Sequence, residues 1–132
     1  MNDILIKTIR KKIVQTSLPS VFSVYSRIDC EIVYNADDLS SLNQLDEWIS
    51  PKNINSALQT GIRFNGKKFI IISHEILEND VLFVHAKMRD EGYLLFVSST
   101  ILLLIHYFDE VVPLQYSKII ESLKDNLPNL IY

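Results

Sequence analysis

The sequence predicts an α+β fold, an antiparallel sheet with helices on both faces. Three observations carry this. Apolar residues recur at helical spacing near both ends of the chain. Between them run short segments rich in β-branched and aromatic residues. The links joining those segments are mostly too short for the crossover that a parallel pair needs. At 132 residues the chain is expected to form a single domain, 1–132, with its own core.

A first helix is expected over residues 3–16, where Leu5, Ile6, Ile9 and Ile13 share one face and Lys7, Arg10 and Lys11 lie towards the other. Pro19 sits beyond its end. Residues 21–26 (VFSVYS) and 30–35 (CEIVYN) read as a strand pair joined by Arg27-Ile28-Asp29. Asp37 or Asp38 can cap a helix carrying Leu39, Leu42, Leu45, Trp48 and Ile49. Ser50 and Pro51 then suit the start of a second, short helix holding Ile54, Ala57 and Leu58.

From Gly61 the pattern changes to strands. GIRF (61–64) meets KKFIIISH (67–74) across Asn65-Gly66, a dipeptide whose tolerance of left-handed backbone suits a two-residue hairpin turn. VLFVHAKMR (81–89) alternates, with Leu82, Val84, Ala86 and Met88 on one face and Val81, Phe83, His85, Lys87 and Arg89 on the other. YLLFVSS (93–99) and ILLLIHYF (101–108) are nearly apolar throughout, as in strands covered on both faces. Pro113 opens a last helix whose apolar stripe is Tyr116, Ile119, Ile120, Leu123 and Leu127, and Pro128 ends it.

The composition is globular, 48% hydrophobic and 22% charged. A net charge of −3 argues against a general nucleic-acid binder but leaves room for a local basic patch. Cys30 is the single cysteine, so no internal disulfide can form and a reducing, cytoplasmic setting is expected. The histidines and the cysteine lack zinc-ligand spacing, and no metal or other cofactor is expected. Lys7, Arg10, Lys11 and Lys12 break up any secretory pattern near the N-terminus. The longest apolar run, 93–108, falls short of the roughly 20 residues that a spanning helix needs.

An enzyme is not expected. The three glycines do not form a phosphate loop, and no serine stands in a nucleophile elbow. Asp37-Asp38 and Asp109-Glu110 are carboxylate pairs, but both sit at turns or helix starts where capping and solvation account for them. His85 reads as a solvated sheet residue in preference to a contact residue, and His106 as hydrogen-bonded in or near the core. Trp48 belongs with the leucines of its helix, and Cys30 reads as a small buried hydrophobe.

The cations are more informative. Lys67 and Lys68 border one strand, Lys87 and Arg89 finish the next, and Lys118 lies early in the last helix. The short link EILEND (75–80) makes the two strands neighbours, so Lys68, Lys87 and Arg89 can form a patch for an acidic protein surface. Lysines at strand ends also discourage edge pairing, and the residues alone leave these two readings even.

The second half of the chain resembles the profilins. GIRFNGKKFIII (61–72) is similar to the stretch where profilins carry Gly-Leu, a glycine-containing turn and Lys or Gln-Lys before a hydrophobic strand. LLLIHYFDEVVPLQYSKIIESLKDNL (102–127) is similar to their final strand and helix. The resemblance spans residues 61–127; the first sixty residues agree in element order. It implies a profilin-like central antiparallel sheet, with the N- and C-terminal helices on one face and short helices on the other.

That resemblance implies a protein that binds monomeric actin or an actin homologue and regulates filament assembly, by sequestering or delivering subunits and by acting on nucleotide exchange. The implied surface comprises Lys68, Ile71, Lys87, Arg89, Ser117 and Lys118, with apolar contacts near Ile71. Of the family's polyproline-binding aromatics only Tyr34 and Tyr132 have counterparts, so binding to proline-rich ligands is expected to be weak or absent. Phosphoinositide headgroups, another family ligand, would meet Lys7, Arg10, Lys11 and Lys12, although an exposed basic helix face needs no such role. A monomer that is cytoplasmic and cytoskeleton-associated, without affinity for nucleic acid, is the expectation. Low glycine and abundant Ile, Asn and Lys make this a divergent member, and an archaeal source is compatible with that. Two rivals share the architecture: a roadblock- or longin-type scaffold for small GTPases, which a stable homodimer would favour, and a ligand-sensing domain with an enclosed pocket.

Overall fold

Among the described residues seven strands form the sheet: β1 (Ser20–Ser26), β2 (Glu31–Asn35), β3 (Ile62–Phe64), β4 (Lys67–Ile76), β5 (Leu82–Met88), β6 (Glu91–Val97) and β7 (Ile101–Tyr107). They lie in the order β2-β1-β7-β6-β5-β4-β3, and every neighbouring pair is antiparallel. The structure is a computed structural model that describes residues 6–11, 20–35, 54–64, 66–76 and 80–108. Residues 6–11 are helical (α1), and a short helix, α2 (Ile54–Thr60), precedes β3. The expected helix around Trp48 and the expected last helix lie outside the described residues.

Strand alternation separates two cores. Ile62, Phe64, Phe69, Ile71, Val84, Ala86, Tyr93, Leu95, Leu102 and Leu104 point to one face, where Ala57 of α2 joins them. Phe22, Val24, Phe83, Leu94, Phe96, Leu103, Ile105 and Tyr107 point to the other, with Ile9 of α1. The two helices therefore cover opposite faces. Every residue of β6 after Glu91, and every residue of β7 except His106, is buried. This matches their unbroken apolar sequence.

Boundaries move by a few residues. β4 runs on to Ile76, which shortens the expected EILEND connection, and β6 begins at Glu91. The β1–β2 link is a four-residue turn, 27–30, that ends on Cys30 in the left-handed region at φ 58. Cys30 is exposed, which corrects its reading as a buried hydrophobe: it closes the turn of a hairpin whose residues 28–30 are all exposed. Arg27 anchors that tip, its N–H donating to the Thr100 carbonyl at 2.9 Å and its guanidinium to the Ser98 carbonyl.

His85 also differs from expectation. It is buried, and its Nε2 lies 2.7 Å from the Tyr107 hydroxyl. Gly92 makes this contact possible. It pairs with both Lys87 and Tyr107, and a Cβ there would overlap the Tyr107 hydroxyl and come within 2.7 Å of the Ala86 carbonyl. Alternation alone cannot reveal this, because a residue on the helix-covered side of a strand is solvated only where the cover stops.

Burial, and secondarily the Lys87 charge, lower the His85 pKa from 6.5 to about 4. The folded state thus binds this proton more weakly than the unfolded chain. The stabilisation is complete above the unfolded value and is lost as pH falls from 6.5 towards 4. Chemical denaturation as a function of pH should show a loss of up to about 3 kcal/mol across that window. His85→Gln should flatten that part of the curve, whatever it does to stability at neutral pH.

A cationic and apolar face as the candidate functional site

The β3–β4 hairpin is built on two glycines with positive φ, Gly61 (φ 80) before β3 and Gly66 (φ 84) in the turn. A Cβ at Gly61 would come 2.7 Å from the Phe69 carbonyl and 3.1 Å from Cε of Lys68. The bare glycine lets the Lys68 stem lie against the backbone. Ile62 pairs with Phe69, Arg63 with Lys68 and Phe64 with Lys67. Because Ile62, Phe64 and Phe69 point into one core, Arg63 and Lys68 share the opposite face, and both are exposed.

The hairpin is clamped from beneath by aromatic rings. Phe64 stacks on Tyr93 with centroids 3.8 Å apart, and Phe69 meets Tyr93 edge-on at 5.0 Å. Tyr93 stacks in turn on His106 at 4.3 Å. His106 is mostly covered, as expected of a histidine in or near the core, but its Nε2 lies 3.6 Å from Glu91, beyond hydrogen-bond distance, so the hydrogen bond expected of it is not made at that nitrogen. Lys67 reaches the same carboxylate at 3.5 Å. The two adjacent lysines of the hairpin therefore serve opposite sides: Lys67 joins Glu91, and Lys68 faces outward beside Arg63.

Further along, Ile70 pairs with Lys87 of β5 on the outward face. A bulge between Ile71 and Ser73 then interrupts the ladder and shifts the alternation of β4. Ile70 and Ile72 are 60% and 55% exposed, whereas Ile71 is 8% exposed and packs in the core. This corrects the placement of Ile71 on the surface: its register partner is the buried Ala86, so its side chain turns inward. Arg89 follows β5 in the left-handed region at φ 56 and is exposed. Ser117 and Lys118 lie outside the described residues. Lys68, Lys87 and exposed Ile70 thus meet on one face, with exposed Ile72 beside them in the bulge. Sequence reasoning missed Arg63, Ile70 and Ile72. The inward pair Ile62 and Phe64 implies an outward Arg63, but the run Ile70-Ile71-Ile72 conceals which member turns in.

A second region lies at the other end of the sheet. Arg10 of α1 stands over Tyr34 and Phe22, with its guanidinium carbon 5.6 and 5.9 Å from the ring centroids. One guanidinium nitrogen donates to the Tyr34 hydroxyl at 3.2 Å. Arg10 therefore covers buried Phe22 and half-buried Tyr34, whose ring centroids are 4.9 Å apart. Lys7 and Lys11 are exposed on the same helix. Lys12 and Tyr132 lie outside the described residues.

Among the described residues no group of three or more His, Cys, Asp or Glu can hold a metal ion, and no helix is long and apolar enough to cross a membrane. The residues that project are suited to recognition: cations around an apolar centre, carried on rigid strands. The class defined is a sheet-based protein-binding domain.

The chain belongs to the profilin family, whose model matches residues 23–132. This is a family of actin-binding regulators of the cytoskeleton. Among solved structures it is similar to a Schizosaccharomyces pombe profilin crystallised from sodium formate, with 23% identity and a TM-score of 0.71 over 94% of this chain and 96% of that one. It is also similar to Acanthamoeba castellanii profilin IB, with 14% identity and a TM-score of 0.67 over 91% and 93%. Acanthamoeba castellanii profilin II follows at 18% identity and a TM-score of 0.66, over 92% and 94%. No curated protein sequence matches. At these identities the structures establish the fold, and the family model establishes membership.

Proposed function

We propose that this divergent profilin binds monomeric actin, or an actin homologue, through the outward face of β3, β4 and β5, and regulates filament assembly by sequestering or delivering subunits. One observation carries the reading: Lys68 and Lys87 stand beside exposed Ile70 on adjacent strands of a rigid sheet, in a chain whose net charge is −3. Cations of this kind steer encounter and set partner choice, while desolvation of Ile70 and Ile72 supplies affinity. Arg89, exposed at the end of β5, adds to this surface, and the family resemblance adds Ser117 and Lys118, which lie outside the described residues. The mechanism is steric: a subunit held at one end can add to only one end of a filament, and contact there can also alter nucleotide exchange. It needs no catalysis and no cofactor, and the chain acts as a cytoplasmic, cytoskeleton-associated monomer.

Proline-rich ligands bind weakly or not at all, because Arg10 occupies the face of Tyr34 that such a ligand would need. Lys7, Arg10 and Lys11, exposed on α1, offer a secondary basic surface to phosphoinositide headgroups, to which the resemblance adds Lys12, outside the described residues. Titration of fluorescently labelled monomeric actin tests the principal reading. Saturable binding is expected from the parent, with a loss of about tenfold or more for a folded Lys68→Glu/Lys87→Glu variant. Absence of saturable binding to conventional actin and to the actin homologue of the source cell removes the reading. On polyproline resin the parent should elute in the wash; retention requiring denaturant contradicts the assignment for Arg10.

A further inference from the structure

Arg63 and Lys68 are directly opposed across the antiparallel β3–β4 pair, with both side chains on the exposed face. Like charges in this position repel and destabilise the pair, so nothing within the hairpin favours the arrangement. The usual remedy, a neighbouring carboxylate, is missing: among the described residues neither cation nor Lys87 forms an ion pair. Glu91, at the start of β6, is engaged by Lys67 and His106 on the other face. Glu75, on the same strand as Lys68, lies seven residues on and beyond the bulge, roughly 23 Å away at about 3.3 Å per residue.

The arrangement is nevertheless rigid. Gly61 leaves room for the Lys68 stem, and Phe64 and Phe69 are fixed against Tyr93 immediately beneath. Edge protection accounts for Arg63 alone, which lies on the edge strand β3, and not for Lys68 set opposite it on β4, a strand already paired on both sides.

We propose that Arg63 and Lys68 form a two-pronged carboxylate clamp, and that Arg63 is a specificity-determining residue selecting partners that present an acidic side chain beside the apolar surface covering Ile70. The clamp rests on the proposed actin-binding face and refines it. A carboxylate set between the two cations relieves their repulsion in the complex alone, so the clamp gives the binding face a preference that its lysines individually lack.

Arg63→Gln separates this role from a structural one. In the free protein it should leave the thermal midpoint unchanged or raise it by about 1–3 °C, because repulsion is removed. Binding to monomeric actin should nevertheless weaken about tenfold, chiefly in the association rate, with a shallower salt dependence. Equal affinity and equal salt dependence for Arg63→Gln and parent overturn the clamp and leave the actin reading intact. A fall in midpoint of several degrees overturns it as well, because the pair would then be stabilising the fold. Should the parent not bind actin, a short oligoglutamate peptide replaces it as the probe in a two-dimensional NMR titration. Amide shifts at Arg63 and Lys68 that vanish in Arg63→Gln support the clamp, and shifts confined elsewhere or absent overturn it.

Discussion

Burial of β6 and β7 on both faces is the constraint on which the rest of the structure depends. Strands with Leu94, Leu95 and Phe96, or Leu102, Leu103 and Leu104, at consecutive positions cannot offer either side to water. They must lie centrally, with cover above and below. α1 and α2 contribute to that cover from opposite faces, through Ile9 and Ala57. The less apolar strands are then displaced to the flanks, β2 beyond β1 on one side and β4 with β3 on the other. Recognition chemistry can appear only where cover stops, which is on those flanks.

The β3–β5 flank is shaped for that role by small local choices. Glycine at 61 admits the Lys68 stem, and stacking of Phe64 on Tyr93 holds the hairpin flat on the core. Alternation then separates neighbours into different tasks: Lys67 reaches Glu91 on the covered side, while Lys68 turns outward. At the opposite flank Arg10 closes over Tyr34, so the aromatic pair there is already capped by a cation, while Ile28 and Ile32 are exposed at that end as Ile70 and Ile72 are at the other.

Much of this was legible from sequence, for physical reasons that differ by element. The turn at Gly66, the apolar continuity of β6 and β7, and the neighbouring of β4 and β5 follow from backbone preference and link length, which are local properties. Ile71 was misplaced because a bulge reset the alternation of β4, and three consecutive isoleucines carry no mark of which one turns inward. His85 was read as solvated because its burial depends on Tyr107 crossing over Gly92, a contact between three strands that no spacing encodes. Arg63 stands apart from the cations at strand ends, in the middle of the three-residue β3, and only the inward direction of Ile62 and Phe64 marks it as outward.

The central claim is that partner binding uses the β3–β5 face and leaves the α1–β2 end free. Hydrogen–deuterium exchange of the full chain, measured with and without saturating monomeric actin, tests it most directly. Slowed exchange concentrated in residues 62–64, 67–73 and 86–89, with unchanged exchange in 6–11 and 31–35, is the predicted footprint. Protection centred on 6–11 and 31–35, with 62–73 unaffected, would contradict the account.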